Sequence, residues 1–284
     1  MDDAADPMNL RASPVVAVVN DWLTGRMGER TMWNMLLEGL PNIIGIDQKT
    51  VGESPDFIRR IGVLMNTSYR QTRIVLQNAT FMATVDPNRW TITFLQDDLR
   101  RMGRPSEQQE KNLNLAKTRV TNSLLTARSY PEYNFEIIPL GVDDELFRPM
   151  DKHVVRKESG LPDKPTAIFV GDLSPVKGWA EIERLITRHP ELHWIVVSKK
   201  VEEFSAPNVT MFTRVDQPTL AKLYNASDVF ILGSPVETQC LAAIEAGMCD
   251  TPIVMHETGI FWGWMPEQRN RVGWFGEDLE TGLQ

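Results

Sequence analysis

Two carboxylates, Glu237 and Glu245, stand eight positions apart in the run Gly233-Ser-Pro-Val-Glu-Thr-Gln-Cys-Leu-Ala-Ala-Ile-Glu-Ala-Gly-Met248. The apolar stretch Val229–Leu232 just before it predicts a buried parallel strand, and Cys240–Gly247 has the residue types of a helix. Glu237 is then expected in the loop at the strand's carboxyl end, and Glu245 two turns into the helix. In an open α/β sheet that loop borders the crevice where ligands bind, because helix N-termini with free N–H groups converge there. A nucleotide diphosphate suits such a place. The same spacing is also that of a helix N-terminal charge followed by a solvated face, which is the commoner meaning of such a pair.

The elements that must position these groups form two series. Pro14–Val19 reads as a buried strand, followed by a Gly25–Gly28 loop and a helix with apolar Met32, Met35, Leu36 and Leu40. Further strands are expected at Ile43–Ile44, Arg73–Leu76, Trp90–Leu95, Arg119–Thr121 and Phe135–Ile138. The pattern restarts at Thr166–Val170, continues through Trp194–Val197, Val209–Phe212 and Val229–Leu232, and ends near Pro252–Met255. Strands alternating with helices argue for parallel sheets covered on both faces. The proline- and charge-rich Pro139–Pro165 stretch is the expected connection. Domains are therefore placed at residues 1–149 and 150–284, the second with a short C-terminus.

Composition narrows the class. At 284 residues and 42% hydrophobic content the chain can build two cores. No stretch is long and apolar enough to span a membrane, and Met1-Asp-Asp-Ala-Ala-Asp6 lacks the basic start and apolar core of a signal peptide, so a cytoplasmic protein is expected. The two cysteines, Cys240 and Cys249, flank the expected helix and read as reduced packing thiols. The net charge of −8 is unevenly spread: from Arg59 to Arg128 there are twelve Arg or Lys against five acids, a local +7. That block could face an anionic partner, or it could be a set of solvated helix faces.

The Glu237/Glu245 spacing resembles the Glu-x7-Glu element of retaining glycosyltransferases with the GT-B fold, family four (glycosyl transferases group 1), which includes sucrose synthases and mannosyltransferases of lipid and glycan assembly. Other segments carry the same resemblance. Ile138-Pro-Leu-Gly-Val-Asp143 with Phe147-Arg-Pro149 is similar to the family's signature at the domain crossover, and Ser123 fits the serine upstream of it. Gly171-Asp-Leu-Ser-Pro-Val-Lys177-Gly178 matches the family's glycine and Lys-Gly, with Asp172 where the family has arginine. Asp250-Thr-Pro-Ile-Val254 and Thr258-Gly259 resemble its Gly-Thr-Pro-Val-Val and later glycine turn.

The resemblance implies two Rossmann-like, doubly wound parallel-sheet domains facing a cleft, and sugar transfer from a nucleotide-diphosphate sugar with retention and without a metal. Glu237 and the amides of Thr238, Gln239, Cys240 and Leu241 would hold the donor sugar and diphosphate, and Glu245 the ribose. Lys177 would give the diphosphate a point charge, with Gly171 and Gly178 permitting close approach and Lys199 or Lys200 replacing the missing arginine. Gly28 would face the donor from the first βα loop. Gln96 stands where relatives place a histidine beside the reacting sugar, and Asp97 next to it would contribute. His256, at a strand end, reads as a packing residue. No cofactor is implied beyond the donor, and the acceptor is a glycan or small molecule. DNA, reached through the Arg59–Arg128 block by a phage-type enzyme acting on hydroxymethylated pyrimidines, is the runner-up. A sugar-nucleotide epimerase and a catalytically silent nucleotide-sugar binder are further alternatives.

Overall fold

The computed structural model describes residues 16–19, 43–46, 74–80, 89–200 and 204–283, the first two stretches by backbone alone. The chain divides into two compact units, Met1–Asn122 with Thr126–Ile138, and Ser123–Leu125 with Pro139–Gln284. Among the described residues, no helix is long and apolar enough to cross a membrane.

In the first unit the strands are β1 (Val16–Val19), β2 (Ile43–Ile46), β3 (Ile74–Asn78), β4 (Trp90–Leu95), β5 (Thr118–Thr121) and β6 (Glu136–Ile137). They pair in parallel in the order β2-β1-β3-β4-β5-β6. The helix Glu107–Leu115 covers this sheet, and its first turn is fixed by the Ser106 hydroxyl, which accepts from the Gln109 N–H. Ala79, Leu95, Leu113 and Tyr130 close a small core, with the Tyr130 hydroxyl donating to the buried Gln109 side chain at 2.7 Å.

The second unit repeats the plan with β7 (Thr166–Val170), β8 (His193–Ser198), β9 (Val209–Thr213), β10 (Val229–Leu232), β11 (Ile253–Met255) and β12 (Gly273–Phe275). All pairings are parallel, in the order β12-β11-β10-β7-β8-β9. Because β8 is buried at every position and β7 at all but its last, these strands read as continuous apolar runs, as sheets covered on both faces require. Ile168, Phe169, Trp194, Phe230 and Tyr224 form the centre of the core, each contributing roughly 1.5–3 kcal/mol for a fully buried large apolar side chain. Phe147, from the crossover segment, is buried in the same core, and Met150 is anchored through its N–H to the Asn225 side chain at 2.6 Å.

One expected end point differs. The sheet does not stop at β11: Gly273–Phe275 adds β12 beside it. Three residues opened by a glycine carry too little periodicity to be read as a strand, and pairing with β11 decides the matter. The helix expected from Cys240 runs Leu241–Met248, so Glu245 is its fifth residue, one turn in rather than two.

Candidate functional site

Strand order locates the site. The chain runs β7, β8, β9 to one side and then returns to lay β10, β11, β12 on the other, so the direction of winding reverses between β7 and β10. In open sheets of this kind, ligands bind outside the carboxyl ends of the two strands at which the winding reverses. The loop after β7 tightens into a single turn, Pro175–Lys177, and ends at Gly178 with φ 67. A Cβ on Gly178 would lie 1.9 Å from the Gly233 carbonyl oxygen, so the β7 and β10 loops touch backbone to backbone. The Ser234 hydroxyl donates to the Val176 carbonyl at 2.7 Å and stitches the two together.

This closeness brings two of the expected site residues, Lys177 and Glu237, into contact. Lys177 Nζ donates to Glu237 Oε1 at 2.6 Å, with the Glu237 side chain 11% exposed and that of Lys177 34%. Burial works against the lysine's charge, but the Glu237 carboxylate and its hydrogen bond, together with Cys240 and Asp172, lift the Lys177 pKa above the ordinary value. The Glu237 N–H donates to the Thr258 hydroxyl at 3.0 Å, tying the loop after β10 to the loop after β11. Gly259, with φ 64, passes so near Gln239 that a Cβ would lie 2.8 Å from the Gln239 carbonyl oxygen.

Beyond Glu237 the turn reaches Cys240, which sits in the left-handed region at φ 70 and precedes the helix Leu241–Met248; no side-chain hydrogen bond caps that helix. Burial, followed by the Glu237 carboxylate, pushes the Cys240 thiol up, and Cys249 is likewise buried, so both are packing thiols. One turn into the helix, Glu245 accepts from the Tyr224 hydroxyl at 3.0 Å. Burial raises its pKa to about 7, against the Tyr224 hydrogen bond and the Lys199 charge, which lower it.

That shift gives a stability prediction with a definite sign. The folded-state pKa lies above the ordinary value of 4.5, so folding favours the protonated acid. The associated stability is complete below about pH 4.5 and is lost as pH rises through 7. Glu245→Gln keeps the acceptor for Tyr224 and removes the charge. It should be more stable than the wild type at pH 8.5, by on the order of 2 kcal/mol, and no more stable at pH 4.5. Melting temperatures of both proteins at the two pH values check it; a mutant that melts lower at pH 8.5 contradicts it.

The other expected residues fall in several places. Asp172 has Lys200 Nζ 3.9 Å away, and its field favours the Lys177 charge, so its repulsion of an anion is partly offset. Lys199 is exposed, with its carbonyl accepting from Arg214 Nε at 3.0 Å. Gly171 packs over the lysine, where a Cβ would lie 3.3 Å from Lys177 Cγ. Thr238 and Leu241 stand at the turn and the helix start. The Gln239 side chain is buried and reaches back to Leu140. Gln96 and Asp97 lie in the first unit after β4, where the Gln96 side-chain oxygen accepts from Asn78 Nδ2 at 2.9 Å and the Asp97 carbonyl from Gln109 Nε2 at 2.9 Å. Gly28 lies outside the described residues.

His256 bridges the Gly276 carbonyl and the Glu181 carboxylate, each at 3.0 Å, which is a packing role. Within the basic block, Arg100 is spent on Glu110 and Glu132, and Arg119 Nε donates to the Leu113 carbonyl at 2.6 Å. Thr258, which holds the Glu237 main chain, and Tyr224, which donates to the Glu245 carboxylate, are not legible in the sequence as site residues. Thr258 was visible only as part of a glycine turn, and nothing local distinguishes Tyr224 from an ordinary core tyrosine.

Two parallel-sheet units of this topology are those of the GT-B fold. The structure is similar to sucrose-phosphate synthase from Thermosynechococcus elongatus, at TM-score 0.65 and 17% identity over 86% of this chain and 81% of that one. It is also similar to HepE of Anabaena in complex with UDP and glucose, at TM-score 0.64 and 15% identity over 86% and 81%. Residues 151–262, within the C-terminal unit, match the family described as glycosyl transferases group 1. A D-inositol 3-phosphate glycosyltransferase of Segniliparus rotundus is 33% identical over 143 residues, 44% of this chain and 32% of that protein. The matched stretch thus spans about a third of the length of these curated relatives.

Proposed function

We propose that this chain is a glycosyltransferase that binds a nucleotide-diphosphate sugar at the β7/β10 reversal and transfers a hexose to a hydroxyl acceptor with retention at the anomeric carbon. The observation that carries the reading is the Lys177–Glu237 contact of 2.6 Å, held between backbone-packed glycines at the point where ligands enter such sheets. Lys177 is the one cation in this loop pair held directly against the signature carboxylate. On donor binding it turns to the diphosphate, freeing Glu237 for the sugar hydroxyls. Glu245, oriented by Tyr224, accepts from the ribose hydroxyls when ionised. Positive groups and the start of the helix Leu241–Met248 take the leaving diphosphate's charge, so a chelator leaves turnover unchanged.

The test is ligand stabilisation. Among UDP-, GDP-, ADP- and TDP-sugars, one base is expected to raise the melting temperature, since a ligand at one hundred times its Kd adds about 2.7 kcal/mol. Affinity for that donor should rise with pH through 7, following the ionisation of Glu245, and the pH dependence should vanish in Glu245→Ala together with tight binding. No stabilisation by any of the four defeats the proposal. Release of nucleotide only with transfer or hydrolysis of the sugar separates a transferase from an epimerase or a silent binder.

A further inference from the structure

Gln239 lies inside the proposed donor loop, yet its side chain faces away from Glu237 to a partner ninety-nine positions earlier in the chain. The Leu140 N–H donates to Gln239 Oε1 at 2.7 Å, and Gln239 Nε2 donates back to the Leu140 carbonyl at 2.6 Å. Both polar ends of one amide are therefore satisfied by both polar groups of one peptide residue, and the glutamine is only 2% exposed. Leu140 belongs to the Pro139–Val142 segment, where the chain enters the second unit. The Gln239 main chain is held as well: its carbonyl accepts from the Ile260 N–H at 3.3 Å and is crowded by Gly259. Side-chain amides that pair with a backbone residue at both ends fix orientation as well as distance, because losing either bond leaves a buried polar group unsatisfied.

The residue next to it is the reason such a clamp matters. Cys240 adopts φ 70, ψ 70, a conformation that a side chain with a Cβ rarely takes and that glycine takes freely. A strained backbone of this kind persists where its surroundings over-determine it.

We propose that Gln239 is a positioning residue: by gripping Leu140 it holds the strained Thr238–Cys240 turn in the shape that presents its amides to the donor diphosphate, and it ties that turn to the Pro139–Val142 segment. The inference rests on the proposed donor site. A turn fixed at its middle by a buried double hydrogen bond cannot relax into the ordinary right-handed region without breaking that bond pair. The clamp and the strain offset each other. Where the strain is removed, the clamp is no longer needed to keep the turn in place.

A two-residue cycle tests this. Gln239→Met keeps length and volume but makes neither bond; Cys240→Gly removes the strain at φ 70. In the wild-type background Gln239→Met should weaken binding of the nucleoside diphosphate chosen by the four-base screen about tenfold, roughly 1.4 kcal/mol. It should also speed hydrogen exchange of the Leu140 amide in the nucleotide-free protein. In the Cys240→Gly background the same substitution should weaken binding by less than about threefold, while Leu140 exchange is still faster. A merely structural glutamine would impose equal losses in both backgrounds, and that result overturns the inference. So does an unchanged Leu140 exchange rate in Gln239→Met. If the wild type binds none of the four diphosphates, the reading of the site has failed and the donor-facing role fails with it. If it binds and the two losses are equal, only the role of Gln239 is lost.

Discussion

Lys177→Ala is expected to lower sugar transfer by on the order of 10²-fold or more, the scale seen when a single charge-stabilising group is removed from a water-poor catalytic site. The lysine meets Glu237 at 2.6 Å, so its loss acts twice. In the proposed reaction the leaving diphosphate loses the Lys177 charge, and the Glu237 carboxylate, 11% exposed, is left without that partner. Breaking a fully buried pair costs about 3–5 kcal/mol, but the lysine side chain is 34% exposed, so a stability loss of roughly 1–2 kcal/mol is the better expectation. Lys177→Ala combined with Glu237→Gln separates the two effects. The double mutant should recover stability, because no unpaired charge remains, and should stay inactive. The measurements are initial rates of nucleotide release and melting temperatures. A Lys177→Ala enzyme within about fivefold of the wild type removes this residue from the diphosphate.

Gly178→Ala should be among the most destabilising single changes available in this chain. Its Cβ would lie 1.9 Å from the Gly233 carbonyl oxygen and 2.1 Å from the carbonyl carbon, both backbone atoms with no rotamer to move. The residue also sits at φ 67, where alanine is strained by roughly 1–2 kcal/mol before any clash is counted. A total on the order of 4 kcal/mol is expected, large beside the usual 5–15 kcal/mol of a folded domain. Gly171→Ala is the internal control: its Cβ would meet only side-chain atoms, Phe169 Cζ at 3.2 Å and Lys177 Cγ at 3.3 Å, and Gly171 does not share the positive φ. The melting temperature should fall by roughly ten degrees for Gly178→Ala and by a few at most for Gly171→Ala. Equal shifts for the two would mean that the β7 and β10 loops are not packed backbone to backbone. Nucleotide binding measured well below the melting point should be lost in Gly178→Ala as well, since Lys177 is its immediate neighbour.

Much of this molecule is legible along the chain. Continuous apolar runs such as Thr166–Val170 and Val229–Leu232 are strands because a sheet covered on both faces leaves no polar alternation to read. Glu237 and Glu245 fall after one such run and on one helix, so their approximate placement follows from local pattern alone. Lys177-Gly178 is visible for the same reason: a tight turn after a strand needs a residue free to take positive φ. Type and number alone mark the two cysteines as packing thiols, and both are free and buried.

The remainder was decided by tertiary structure, because it depends on residues far apart in the chain. The ion pair between Lys177 and Glu237 spans sixty positions, and it exists only because β10 is laid directly beside β7. Strand β12 is too short to announce itself and is created by its pairing with β11. Glu245 is pushed to about pKa 7 by burial that no count of neighbouring residues in sequence reveals. Arg100, read as part of a basic block, faces Glu110 and Glu132, so its charge is balanced within the unit. Gln239 looked like one more amide in a phosphate-binding turn; folding turns its side chain toward Leu140. Sequence alone determined the residue types, the periodicities and the local turns, which are set within a few residues by sterics and burial preference. Distances, charges compensated across the fold and strain held in place are properties of the packed chain, since each requires two segments that only the sheet order brings together.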